Sequence, residues 1–288
     1  MSFGGIALAD YHIHPDYSID ATGTIEEYCA LALEKNLVEI CFTTHYDSNP
    51  RGPEGERVMR VDGKSSPLSL ETVKRYYDDV RAAQEKYFPL GLEVKCGIEV
   101  GYWEGCEEPI ASLFRKFPFD YRLVAIHDID DICVCCKSRY EACFSRFSVE
   151  EMADKYFALV KKAAKSALFD CLAHLDVYKK YGLGFYGNEI LTVHRGRVEP
   201  VLEAMAEYNL GIEINTAALR RGHSEYYPSM EIVNLARQAG VRVAAIGSDA
   251  HKPEELAFDF EMAPALLTNC FPIAMNNSLH DSRAKTQS

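Results

Sequence analysis

The sequence predicts an α/β fold, a distorted (β/α)7 barrel of the TIM type that forms a single domain. Short apolar runs rich in β-branched residues alternate with amphipathic helical patterns about seven times, as in repeated βα units that build a parallel sheet. No internal repeat, low-complexity tract or linker divides the 288 residues into halves. A single barrel routinely needs ~250 residues, so the length fits one domain.

The predicted strands are nearly all apolar, as expected for parallel strands that are covered on both faces. They span residues 6–12, 38–44, 92–100, 121–127, 169–174, 210–215 and 241–247. The predicted helices lie between them, at residues 25–35, 70–87, 107–116, 150–167, 188–208 and 229–239. Thr24 is the expected N-cap of the first helix, because its hydroxyl can accept a bond from a free backbone N–H.

Two segments fall outside this alternation. Residues 48–69 are rich in glycine, proline and charge and are too long for an ordinary βα connection, so they form either a lid over a site or a surface insertion. Residues 276–288 are polar and have no periodic apolar face, which predicts a frayed tail without a chemical role. The expected organisation is therefore a barrel over residues 1–275 followed by a tail.

The charge balance argues against a nucleic-acid partner. Lys and Arg total 31 and Asp and Glu total 43, so the net charge is −12, which repels phosphate backbones at long range. No apolar run approaches the ~18 residues of a membrane span, and no basic stretch precedes the first apolar residues. We therefore expect a cytoplasmic protein without a membrane partner, and the sequence leaves its oligomeric state open.

Most of the ten cysteines are expected to be buried thiols, because a cytoplasmic chain of this size does not need a disulfide framework. Cys133, Cys135, Cys136 and Cys143 form the one cluster. Redox-sensitive thiols and a structural zinc site are the two interpretations. The absence of a second CxxC pair favours the thiols.

Metal-binding side chains follow almost every predicted strand. His12 and His14, two residues apart on an extended segment, lie on the same face and can reach one ion. The full candidate ligand set is His12, His14, Asp20, His45, Glu99, His127, His174, Asp249 and His251. Each histidine alone could equally be a core or capping residue. Because parallel barrels build their sites where the strands end, the shared position favours a metal centre.

Nine ligands exceed the four that one tetrahedral ion needs, so two or three divalent ions are expected. A mixture of imidazoles and carboxylates is typical of Zn, Mn or Fe sites rather than of pure thiolate or pure oxygen sites. Bound cations would also reverse the negative field locally, which makes a small phosphorylated substrate possible.

In these motifs the sequence resembles the polymerase and histidinol phosphatase (PHP) superfamily of metal-dependent phosphoesterases. The motifs occur in family order over nearly the whole barrel: HIH at 12–14, TH at 44–45, GIE at 97–99, His127, AHLD at 173–176 and GSDAH at 247–251. Further segments, including EINT at 213–216, resemble the histidinol-phosphatase branch. Residues 128–143 depart from the family pattern.

The resemblance implies hydrolysis of a phosphate monoester, first of all L-histidinol phosphate, at a trinuclear centre. It implies that His12, His14, Glu99 and Asp249 hold one ion, that Glu99, His127 and His174 hold the second, and that Asp20, His45 and His251 hold the third. Glu99 would then be catalytic as the carboxylate that bridges two ions.

Other residues are candidates for contacts with the substrate. Arg195, Arg197 and Arg220 offer forked donors that suit phosphate oxygens, although the first two could equally lie on a helix surface. His223 could bind phosphate or protonate the leaving alkoxide, and Trp103 could stack on an imidazole ring.

Three other functions compete with this prediction. The chain could be a phosphoesterase of the same superfamily that acts on another small phosphate ester or a nucleotide. It could be a non-catalytic metal-binding module or a polymerase-associated one, although no polymerase segment is present and the charge disfavours DNA. A metal-dependent amidohydrolase also uses an HxH pair on its first strand, but Glu99 and the GSDAH segment argue against it.

Overall fold

The computed structural model describes residues 8–261. Residues 6 and 7 of the first predicted strand, the boundary at residue 275 and the predicted tail at 276–288 lie outside these residues. Within them, no helix is long and apolar enough to cross a membrane.

Within residues 8–261, seven parallel strands and one short strand beside them form an eight-stranded sheet that curves into a nearly closed barrel, as predicted. The strands in chain order are β1 (Ala9–Ile13), β2 (Glu39–Phe42), β3 (His45–Tyr46), β4 (Val58–Val61), β5 (Lys64–Pro67), β6 (Glu93–Gly101), β7 (Tyr121–Ala125), β8 (Asp128–Ile129), β9 (Ile132–Cys133), β10 (Cys171–Leu172), β11 (Gly211–Asn215) and β12 (Val243–Gly247). The sheet order is β1-β2-β6-β7-β10-β11-β12, and β3 pairs with β6. The barrel closes where a parallel bridge joins Ile13 to Ala250.

Helices cover the sheet. They are α1 (Ile25–Glu34), α2 (Leu70–Tyr87), α3 (Glu107–Lys116), α4 (Tyr140–Phe144), α5 (Val149–Lys165), α6 (Lys179–Tyr186), α7 (Glu199–Glu207), α8 (Ala217–Arg220) and α9 (Met230–Gln238). The predicted N-cap is confirmed, since the Thr24 hydroxyl accepts from Glu27 N and the Glu27 carboxylate accepts from Thr24 N. The Tyr76 hydroxyl anchors α2 by donating to Phe42 O and Gly97 O, both at 2.9 Å.

The continuous helix predicted over 188–208 is wrong. A 3-10 turn, Gly187–Leu191, ends well before α7 begins. Gly196 adopts a left-handed φ of +76°, and Pro200 lies in the first turn of α7, where its missing N–H costs no hydrogen bond. The apolar periodicity of the sequence continues across this break, but the helical backbone conformation does not.

The long segment 48–69 contains regular structure that the sequence reading missed. β4 and β5 form an antiparallel hairpin in which Val61 pairs with Lys64. Asp62 and Gly63 make the turn with φ values of +49° and +74°. An Asp-Gly pair between two short extended runs is a strong local signal for such a hairpin.

Candidate metal centre

The nine predicted ligands gather at the end of the barrel where the parallel strands finish. His12 lies in β1, His14 directly after it, Asp20 in the following loop, His45 in β3, Glu99 in β6, His127 and His174 just after β7 and β10, and Asp249 and His251 in the segment after β12. His174 and Asp249 adopt left-handed backbones, with φ of +25° and +52°. Non-glycine residues hold such a conformation only where the surrounding structure imposes it.

The Glu99 carboxylate is the centre of this cluster. It is fully buried, and its oxygens lie within 3.6 Å of one nitrogen in each of five imidazoles. The atom pairs are His45 Nδ1 at 2.8 Å, His174 Nε2 at 3.1 Å, His12 Nε2 and His14 Nε2 at 3.5 Å, and His127 Nε2 at 3.6 Å. A carboxylate surrounded in this way can bridge two cations.

Asp249 and Asp20 extend the cluster to either side of His14 and His45. Asp249 Oδ1 is 3.4 Å from His14 Nε2 and 3.7 Å from His12 Nε2. Asp20 lies 3.7 Å from His45 Nε2 and 3.5 Å from the Nε2 of His251. The structure therefore brings all nine predicted residues together at one end of the barrel.

Buried imidazoles and carboxylates in the cluster shift one another's pKa values. Burial lowers the pKa of His14 well below its usual value, and the charges of His45 and His251 lower it further. Burial raises the pKa of Glu99, but the charges of His12 and His45 outweigh it and hold that pKa well below its usual range. Burial also lowers the pKa of His12, His45 and His127, but the neighbouring carboxylates outweigh it and raise all three pKa values. Because metal ligands must be deprotonated, binding of ions would release protons from these rings.

Several ligand atoms of this cluster have no hydrogen-bond partner although they are buried. They include His12 Nε2, His14 Nε2 and Glu99 Oε2. An unpaired polar atom in a protein interior is costly, so such atoms normally face a ligand or an ordered water. Three sets of ligand atoms, His12 with His14 and Asp249, His12 with Glu99 and His174, and His14 with His45 and His251, each lie within 4.8 Å of one another. The residues present fit bound metal ions.

Sequence reasoning missed the carboxylates that orient the histidines. Glu213 is buried and accepts from His12 Nδ1 at 2.7 Å and from His174 N at 2.9 Å. Asp47 accepts from His127 Nδ1 at 3.0 Å. A carboxylate on the far nitrogen fixes the ring's tautomer and aims its other nitrogen at a metal.

Two glycines at strand ends make room for these carboxylates. A Cβ added at Gly247 would lie 2.0 Å from Glu213 Oε1, and one added at Gly101 would lie 2.1 Å from Asp47 Oδ1. Because a side chain at either position would occupy the space of the carboxylate, glycine is the residue that both positions require.

Arg60 of the hairpin connects the 48–69 segment to the site. Its guanidinium donates to the carbonyl oxygens of Asp16 at 3.0 Å, Ser18 at 3.2 Å and Ala21 at 2.8 Å, and also to that of Ile19. These carbonyls belong to the loop that holds Asp20. The hairpin therefore anchors this loop, a role that neither the lid nor the surface insertion describes.

The arginines predicted to bind phosphate have other partners. Arg195 forms an ion pair with Glu231, and Arg197 with Asp154, both on the surfaces of neighbouring helices. Arg220 donates to Ser248 O at 2.5 Å and to Asp249 O at 2.9 Å, so it braces the backbone after β12. No contact in the described part of the chain joins Arg195 or Arg197 to the cluster, and their predicted role in substrate binding has no support there.

His223 and Trp103, the other two residues predicted to contact the substrate, lie in different parts of the structure. His223 is half-buried beside Tyr227, with ring centroids 5.6 Å apart. Trp103 donates to Ser48 Oγ at 3.2 Å and lines a small cavity together with His127 and Asp47. Trp103 therefore shares a cavity with the candidate ligand His127.

The cysteine cluster contains a disulfide that the prediction of free thiols did not include. It joins Cys133 to Cys136, while Cys135 and Cys143 are free. Cys143 is buried, whereas Cys135 is partly exposed.

Comparisons with known proteins agree with this geometry. A family model for the PHP domain matches residues 10–217. A probable histidinol-phosphatase of Deinococcus radiodurans is 30% identical over 253 residues, which are 88% of this chain and 90% of that protein. The histidinol-phosphatase of Lactococcus lactis is 23% identical over 242 residues, or 84% of this chain and 83% of that protein.

A solved structure shows the same fold. The crystal structure of histidinol phosphate phosphatase from Lactococcus lactis, in complex with zinc, L-histidinol and phosphate, aligns with a TM-score of 0.70 over 91% of this chain and 93% of that one. The sequences are 20% identical in this alignment, so the likeness confirms the predicted barrel.

Proposed function

Because the chain belongs to the PHP domain family, we propose that it is a metal-dependent phosphomonoesterase that hydrolyses L-histidinol phosphate to L-histidinol and inorganic phosphate. Relatives named histidinol-phosphatase match it over most of their length, which supports this substrate. The observation that carries the activity is the buried histidine and carboxylate cluster whose inward atoms lack partners.

We assign the cluster to two or three divalent ions, with zinc as the first candidate. His12, His14 and Asp249 would hold one ion, and Glu99 would bridge it to a second ion held by His127 and His174. Asp20, His45 and His251 would hold a third. When bound, such ions neutralise phosphate charge and lower the pKa of water so that it can attack phosphorus.

Lys180 is the cation that we assign to the phosphate, in place of Arg195 and Arg197. Burial lowers the pKa of its ammonium and Arg221 lowers it further, while the charges of Cys135 and, less strongly, of Asp249 and Asp20 raise it. The ammonium therefore lies in the field of two candidate ligands. Within residues 8–261 it has no carboxylate partner at ion-pair distance. Its ammonium lies 5.4 Å from the centre of the Tyr181 ring, and an ammonium without a carboxylate partner suits the oxygens of a phosphate dianion.

The cavity next to His127 has room for about one water molecule, and its rim suits the approach of a cation. Trp103 offers an aromatic wall there, and Asp47, Glu56 and Asp128 offer carboxylates. Histidinol carries an amine and an imidazole, and both are attracted to carboxylates and to the faces of aromatic rings. The indole ring and these carboxylates therefore favour a leaving group that carries positive charge.

Release of phosphate from a panel of esters tests this proposal. The panel contains histidinol phosphate and sugar, nucleotide and amino-acid phosphates, each assayed with metal-reconstituted protein. We expect strong preference for histidinol phosphate in the wild type and a loss of at least ~100-fold in Glu99→Gln, because the bridging carboxylate becomes neutral. Glu108→Gln, which changes an exposed carboxylate paired with Arg115, is the matched control.

Turnover of other esters alone would overturn the substrate and retain the phosphatase. Stoichiometric metal without turnover of any ester would overturn the enzyme and leave a metal-binding module. Full activity of Glu99→Gln would overturn the assignment of the centre.

A further inference from the structure

Three sulfur atoms lie close together on the hairpin that follows His127. Cys133 ends β9, and Cys135 and Cys136 follow within three residues, so that one sulfur from each lies within 4.8 Å of the others. We refer to Cys133, Cys135 and Cys136 as the thiol triad. Two of its sulfurs form the Cys133–Cys136 disulfide, and the third, Cys135 Sγ, is 3.6 Å from Cys133 Sγ.

We propose that reduction of this disulfide opens a second metal site, in which the thiol triad binds one thiophilic cation of the Zn²⁺ or Cu⁺ class. The proposal does not depend on the phosphatase activity. The histidine cluster offers only nitrogen and oxygen ligands, and the triad offers only sulfur, so the two sites select cations of different softness.

The reduction balances in a simple way. A dithiol reductant breaks the bond between the Cys133 and Cys136 sulfurs, each of which gains one electron and one proton, and the reductant is oxidised to its own disulfide. Binding of the cation then releases the protons of the three thiols, because the thiolate is the form that ligates.

The spacing of the sulfurs suits coordination. At a zinc–sulfur distance of ~2.3 Å, tetrahedral geometry separates two sulfur ligands by ~3.8 Å. Cys133 Sγ and Cys135 Sγ already lie 3.6 Å apart. After reduction, only the Cys133 and Cys136 sulfurs have to move apart from their bonded positions. Rotation of the side chain about one bond in each residue can supply that movement.

The backbone of the hairpin is held in place independently of the disulfide. Val134 N donates to His127 O at 2.8 Å, and Cys133 pairs with Asp128 across the antiparallel strands. Cys136 O accepts from Tyr140 N at 3.0 Å. Because these bonds remain after reduction, the cation does not have to order the loop, and little conformational entropy opposes binding.

The thiol triad is open to solvent on one side and faces buried apolar residues on the other. Cys133 is buried, and Val134, Ile129 and Phe144 beside it are fully buried. Cys135 and Cys136 are both partly exposed. A cation can therefore reach the triad from solvent and then lie against an apolar wall, where charge-assisted bonds to thiolates are strong.

Cobalt titration tests the site, because Co²⁺ bound by thiolate gives a near-ultraviolet charge-transfer band that nitrogen and oxygen ligands do not give. The protein is reduced with a dithiol, freed of reductant without oxygen and titrated with Co²⁺. We expect a band whose final intensity corresponds to one thiolate-bound Co²⁺ per chain in reduced wild type, once the histidine cluster is also filled. The band should be absent before reduction and lost in Cys135→Ser. Cys143→Ser, which changes a buried thiol outside the triad, is the matched control and should retain the band.

Two further measurements keep the outcome decisive. In Glu99→Gln the band should remain, which separates the triad from the histidine cluster. Alkylation of reduced wild type with and without Cd²⁺, which needs no variant, should show three fewer reactive thiols in its presence. Absence of the band from reduced wild type, its survival in Cys135→Ser, or unchanged alkylation would each overturn the proposal.

Discussion

Gly247→Ala is the substitution that tests most directly how the metal ligands are held. The new Cβ would lie 2.0 Å from Glu213 Oε1 and 2.5 Å from His12 Cβ, whereas ordinary contacts of such atoms exceed 3.4 Å. Both neighbours are buried, and the Glu213 carboxylate is bonded to His12 and to the backbone of His174, so neither can move without breaking these bonds. The alanine side chain therefore has to displace Glu213 and His12 from their positions.

The expected magnitude follows from two costs. Overpacking of a buried site by one methyl group costs ~1–3 kcal/mol of unfolding free energy. Loss of the carboxylate that orients a metal-bound histidine typically lowers metal affinity by ~10- to 100-fold. We expect Gly247→Ala to show both effects.

Urea unfolding of the metal-free protein and calorimetric titration with Zn²⁺ measure the two effects separately. Gly184→Ala is the control, because Gly184 lies inside α6 with no atom within 4 Å of the added Cβ. Alanine there should be neutral or stabilise the helix by ~0.5–1 kcal/mol. Wild-type stability and wild-type zinc affinity in Gly247→Ala would refute the argument that Glu213 positions His12.

Three further predictions concern residues around the centre. Asp47→Asn should lower metal affinity at His127 by ~10-fold or more, as measured by zinc titration, because the amide polarises the ring less than the carboxylate does; unchanged affinity would contradict it. Arg60→Met removes the donors to the loop that holds Asp20, so it should lower the metal content per chain and cost ~2 kcal/mol of stability. Burial and the nearby charge of Asp47 raise the pKa of Asp128 from its usual 3.8 to about 6. Between these pH values the native state binds more protons than the unfolded state, so stability falls as pH rises. Metal-free Asp128→Asn should therefore have a higher Tm than wild type at pH ~7 and the same Tm below pH ~4, and an equal Tm at both pH values would contradict this.

The elements of the barrel were predictable because their signals are local. A parallel strand covered on both faces needs a run of apolar residues, and α2 follows from its amphipathic period. The prediction of one helix over 188–208 was wrong because it also relied on a local signal, the apolar period. Periodicity measures which residues could face a core, but Gly196 and Pro200 decide whether the backbone continues.

The sequence by itself determined the candidate ligands, because strand order along the chain places the ends of parallel strands at one end of a barrel. Only the tertiary structure decided what holds them. Glu213 is 201 residues from His12 and Asp47 is 80 from His127, and Arg60 binds a loop about 40 residues away. No period or spacing relates such partners. Their contacts exist because the barrel closes, and a hydrogen bond depends on the distance between atoms in space rather than along the chain.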